Sequence, residues 1–192
     1  MQKVLYILSQ TLSIILHPLF MPTYGMILYM MVMQNRLSNL PSLYIWLSII
    51  GTSILTAIIP ISLIFILLKK GQIDSLHIEN SKQRTTPYIY TLICFCFWCY
   101  FLRVTMHLPH IWLFIAIGAT IALAIVMLIN HWWKISAHLT GMGGLLGGIC
   151  SMALFYTMLP SALIISVLII SLLLMYARLY TNAHTPMQVV SG

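Results

Sequence analysis

Seven histidines, nine lysines and arginines, and only two carboxylates carry the ionisable chemistry of this 192-residue chain. A few of these groups recur at spacings that favour joint action. Arg178 is followed six residues later by His184, and Gln188 lies four residues beyond that. If residues 184–188 are helical, Gln188 shares a face with His184. Its side-chain oxygen then holds the imidazole in one tautomer. His138, one turn into another apolar segment, supplies a second imidazole. A guanidinium pairs with anions through two parallel N–H donors and stays charged. Imidazoles transfer protons or act as nucleophiles. The pattern therefore reads as an anion site with proton-transfer chemistry.

The remaining polar groups read more plainly. Lys69 and Lys70 end an apolar run and serve as interfacial anchors, as does Lys134 beside Trp132 and Trp133. His107, His110 and His131 read as interfacial polar residues, and His17 beside Pro18 as a hydrogen-bonding group across a kink. Asp74 and Glu79, five apart in a polar loop, are too few for a two-metal site, so no metal and no other cofactor is expected. Cys94, Cys96, Cys99 and Cys150 lie inside apolar runs and read as small hydrophobes, not as zinc ligands or a disulfide framework.

The elements that must position these groups are membrane helices. Hydrophobic residues make up 61% of the chain and charged residues 6%, against about 25% charged in a soluble domain. That is too little charge to cover a soluble surface. The formal charge of +7 sits at the ends of apolar runs, which argues against nucleic acid as a partner. The expected fold is all-α: a polytopic transmembrane bundle of about six spans forming one domain over residues 1–192. The spans are read at about Val4–Met33, Leu43–Leu68, Tyr88–Met106, Ile111–Asn130, Ile135–Leu159 and Ala162–Tyr176. His17-Pro18 and Pro22 should kink or break the first, and Pro60 should kink the second. No small-residue cleavage site follows Val4–Leu16, so the first span reads as retained, not as a signal peptide. Gly143/Gly147 and Gly144/Gly148 favour close helix approach in the fifth. Alternation of six spans puts segments 77–87, 134–138 and 177–192 on one membrane face.

These three segments resemble the motifs of the type 2 phosphatidic acid phosphatases, a family of membrane-bound lipid phosphate phosphatases. The family's last motif is Ser-Arg, five residues, His, three residues, Asp; here stand Ala177-Arg178, five residues, His184, three residues and Gln188, with Val189 and Gly192 also similar. Its middle motif is Pro-Ser-Gly-His; here stand Ile135, Ser136, Ala137 and His138. Its first is Lys, six residues, Arg-Pro. Here Arg84 is followed by Pro87 two residues late, His77 holds the Lys position, and Lys82 lies two before the Arg. The resemblance spans residues 77–192.

The resemblance implies a metal-independent lipid phosphate or diphosphate phosphatase working through a phosphohistidine. His184 would attack phosphorus and His138 would protonate the leaving oxygen. Arg178, Arg84 and Lys82 would hold the phosphoryl oxygens, and Ser136 would donate one hydrogen bond. Gln188 replaces the family Asp, so it can orient His184 but supplies no charge, which predicts slow turnover. In a serine-protease triad the Asp-to-Asn change costs about 10⁴ in turnover. The alternative reading is a non-catalytic membrane protein that keeps the anion pocket to bind a lipid phosphate. The expected partners are a lipid phosphate and membrane lipids. By resemblance, the setting is a bacterial inner membrane with the site facing the periplasm.

Overall fold

The computed structural model describes residues 2–34, 41–74, 81–155 and 161–192; His77, Glu79 and the Lys82 side chain lie outside the described residues. The described part is 85% helical, with no strand among its residues, which makes the fold all-α as expected. Among the described residues six helical stretches are long and apolar enough to cross a membrane, and the chain is an integral membrane protein.

The first span comprises α1 (Gln2–Ile15), a 3₁₀ turn at Pro18–Phe20 and α2 (Met21–Gln34). It bends by 39°. Proline explains the break. Pro18 has no N–H to continue the ladder, and His17 N–H bonds Ile14 O at 3.3 Å, one residue short of the α-helical partner Ser13 O. The expected kink near His17–Pro22 is therefore a helix that stops and restarts.

The second span joins α3 (Ser42–Ser53) to α4 (Ile59–Lys69) through a π turn at Ile54–Ile58. Pro60 sets the position of that turn. Its ring would collide with the carbonyl four residues back, and widening the preceding turn relieves the clash. α4 closes on Gly71, whose φ of +68° is the left-handed conformation that ends helices. The third span, α5 (Thr85–Tyr100), runs into a second π turn at Phe101–Thr105. The fourth is α6 (His110–Ile129), the fifth α7 (Ala137–Phe155) and the sixth α8 (Ser161–Tyr180); a short α9 (Pro186–Val190) follows. α8 runs four residues beyond the expected Tyr176, because Arg178 is tolerated in the last turn of a membrane helix.

The chain forms two compact units. One comprises residues 22–133. Within it Ser48, Thr52 and Thr56 lie fully buried along one face of the second span. Ser48 and Thr56 bond carbonyls of their own helix, and Trp98 Nε1 donates to Thr52 Oγ1 at 3.0 Å. Gly51 leaves room for the Phe101 ring, which any side chain there would strike. The other unit comprises residues 1–21 and 134–192. It contains α1, the 3₁₀ turn, α7, α8 and α9, and with them five of the seven residues expected to act on substrate.

Candidate functional site

The Arg178–His184 spacing is built by the end of α8. Asn182 adopts a left-handed conformation (φ +52°), which Asn tolerates better than most residues. Around it Ala183 N–H donates to Arg178 O at 3.2 Å and Asn182 N–H to Leu179 O at 3.0 Å. This paired closure satisfies two carbonyls that the helix end would leave open. Arg178 thus occupies the last turn of α8, where its charge suits the helix dipole. The chain reverses within five residues and delivers His184, buried at 8% exposure.

A second helix terminus fixes the imidazole. Thr185 caps α9, with Pro186 in its first turn. Thr185 Oγ1 accepts from Gln188 N–H, and Gln188 Oε1 accepts from Thr185 N–H at 3.1 Å, a reciprocal capping box. The backbone N–H can only donate, so the atom facing it is the amide oxygen. That same oxygen lies 3.3 Å from His184 Nδ1. His184 Nδ1 therefore carries the proton and donates, which puts the lone pair of the neutral ring on Nε2. A neutral hydrogen bond worth about 1 kcal/mol biases the tautomer several-fold. The condition that residues 184–188 be helical is not met: His184 lies two residues ahead of α9, and the capping box rather than a helical face brings Gln188 to it.

His138 lies in the first turn of α7, half-buried. Its Nε2–H donates to the Ser13 carbonyl at 3.1 Å. That carbonyl is free because the chain stops being helical at His17. His17 forms the other half of the junction. Its Nδ1 accepts from Leu19 N–H at 3.4 Å, and its ring meets that of His138 edge-on, 5.3 Å between centroids. Arg178, His17 and His184 all lie close enough to act electrostatically on His138. The sequence reading undervalued His17; its signal was an imidazole immediately before a helix-breaking proline.

Ser136 is fully buried, and its hydroxyl meets no hydrogen-bond partner among the described residues. Its N–H donates to Gln188 O at 3.1 Å, and Gly192 packs flat on its main chain, where a side chain would not fit. α9 is thereby tied to the start of α7. An open cavity of about 600 Å³ borders His184 and Gln188 and is also lined by Lys134, Asn182, Thr185 and Pro186. Lys134, read from sequence as an anchor, is thus beside the candidate nucleophile. Arg84 belongs to the other unit, where it hydrogen-bonds the Tyr88 phenol oxygen. Lys82 belongs to the same unit, with its backbone in the 3₁₀ turn Ser81–Arg84. Among the described residues no three His, Cys, Asp or Glu side chains gather as a metal site.

No protein-family model matches the chain, and comparisons with curated proteins and with solved structures find no match.

Proposed function

We propose that this chain is a membrane-embedded phosphohydrolase acting on lipids with a terminal phosphate or diphosphate, through a phosphohistidine at His184. The observation that carries the reading is the shared Gln188 oxygen, which holds the proton on Nδ1 and turns the Nε2 lone pair into a nucleophile. Arg178 and His184 act electrostatically on a second imidazole, His138, and Lys134 lines an open cavity together with His184. Phosphoryl transfer demands positioning and charge stabilisation above all, and these groups supply both. The motif resemblance over residues 77–192 supports the same reading.

In the first half-reaction His184 Nε2 bonds to phosphorus and the P–O ester bond breaks. The electron pair leaves on the lipid oxygen, which takes a proton from Nδ1 of protonated His138. In the second, His138 Nδ1 accepts a proton from water, whose oxygen bonds to phosphorus. The N–P bond breaks and returns its pair to Nε2. Arg178 and Lys134 hold the phosphoryl oxygens in both steps; for Arg84 and Lys82 that role rests on the motif resemblance alone. Ser136 donates one hydrogen bond. The lipid tails stay in the bilayer. By the same resemblance the site faces outward from a bacterial inner membrane. An impermeant maleimide added to intact cells should then label Met187→Cys at this exposed position; labelling only after lysis would contradict that orientation.

One observation favours the reading without turnover: His138 already spends Nε2 on the Ser13 carbonyl, as a purely structural histidine would. Phosphate release from a panel of lipid phosphates in detergent, with EDTA throughout, separates the two. Release that disappears in His184→Ala supports catalysis. Stoichiometric lipid binding with no release from the wild type supports binding alone.

A further inference from the structure

The broken turn of the first span has no counterpart in the three motifs, and the reaction written above leaves His17 without a task. Yet irregular backbone at membrane depth is tolerated only where protein buries it or a cavity receives it, because an unpaired backbone group in lipid costs several kcal/mol. Three contacts within one unit hold this turn in place. His138 Nε2–H satisfies the Ser13 carbonyl that the break exposes. His17 Nδ1 accepts Leu19 N–H, which places the proton of the neutral ring on Nε2. Gly141, one turn after His138 on the same face of α7, lets the turn approach; a Cβ there would lie 3.0 Å from Pro18 Cβ and 3.2 Å from Met21 Cγ.

The consequence concerns which nitrogen of His138 exchanges protons. With Nε2–H committed to Ser13, only Nδ1 can give a proton to a leaving group or take one from water. The ring orientation that achieves this is set from one side by the Ser13 carbonyl and from the other by the edge-on His17 ring. The other charged or titratable groups acting on His138 are Arg178 and His184.

We infer that His17 is a positioning residue for the general acid His138, so that the broken turn of the first span is a working part of the site. The inference rests on the phosphohydrolase reading and makes a claim that reading does not. A positioning residue for the acid matters only when the leaving group needs a proton. An alkoxide leaving from a lipid phosphate needs one, whereas p-nitrophenolate does not.

The test compares kcat/KM for dodecyl phosphate and for p-nitrophenyl phosphate, a ratio that reports the steps up to phosphoenzyme formation. His17→Asn keeps an acceptor at the position of Nδ1, so the cap on Leu19 survives while the ring is lost. On dodecyl phosphate kcat/KM should fall about tenfold or more, below the full general-acid contribution of about 10²–10⁴. On p-nitrophenyl phosphate it should stay near the wild-type value. His138→Ala should show the same split more strongly, and adding His17→Asn to it should cost nothing further. His17→Gln, with its amide at the position of ring Nε2, is the second variant should the first fold poorly, and the same split is expected. Equal losses on both substrates, no loss on either, or losses that multiply in the double variant would overturn the role of His17 while leaving the phosphohydrolase reading standing. A wild-type protein inactive on both substrates would overturn that reading and this inference with it.

Discussion

Gln188 is the residue on which the proposed chemistry turns. Its oxygen serves two donors at once, Thr185 N–H and His184 Nδ1–H. Both bonds survive replacement by a carboxylate of the same length, and the new charge would stabilise the imidazolium as phosphorus is attacked. Hydrogen bonds to an ionised acceptor are roughly twice as strong as neutral ones. Gln188→Glu should therefore raise kcat by about tenfold or more without unfolding α9, measured as phosphate release with circular dichroism as the control. An unchanged or lower rate would show that the imidazole needs no negative partner here. Much of this site is legible in the sequence because Arg178, His184 and Gln188 lie within eleven residues of one another. What escapes is the means: Thr185-Pro186-Met187-Gln188 is a capping sequence, and the cap, not a shared helical face, brings Gln188 to His184. Lys134 escaped because a lysine beside two tryptophans has the same signature whether it anchors a helix or lines a cavity. The partner of His138 escaped altogether. It is a backbone carbonyl, and backbone atoms leave no mark in a sequence until the break that exposes them is placed.

Among the elements, prolines and one left-handed asparagine set the geometry. Pro18 ends α1, Pro60 widens the second span into a π turn, and Asn182 closes α8. The prolines were readable from the sequence, since a missing N–H acts whatever the surroundings. The π form of the Pro60 defect was not, because it depends on which turn yields. Asn182 fixes where His184 emerges after Arg178. Asn182→Gly should keep stability and turnover, since glycine adopts this conformation without strain. Asn182→Val should destabilise by about 1–2 kcal/mol, the cost of a side chain in the left-handed region, and displace His184. Thermal unfolding in detergent alongside phosphate release would show it. If the valine variant matched the wild type in both, the closure of α8 would not be what positions the histidine.

At the scale of the whole chain, composition and apolar run length convey the six spans with little ambiguity, since a chain this poor in charge has few ways to fold outside lipid. Among the described residues the expected span boundaries lie within three residues of those observed, apart from the end of α8, four residues beyond Tyr176; the expected end at Leu159 lies outside the described residues. What run length cannot convey is that residues 1–21 pack with residues 134–192 in one compact unit. The first span has no motif and attracts no attention in a linear reading. In three dimensions its broken turn meets His138, which is how a segment far away in sequence enters the proposed chemistry.

The most direct test of the account is to trap the intermediate. Wild-type protein in detergent would be mixed with a ³²P-labelled lipid phosphate, quenched within milliseconds and assayed for protein-bound label. The account predicts label that is stable in base and labile in acid, as a phosphohistidine is, present in wild type and absent from His184→Ala. Turnover without such label, or label that persists in His184→Ala, would contradict it.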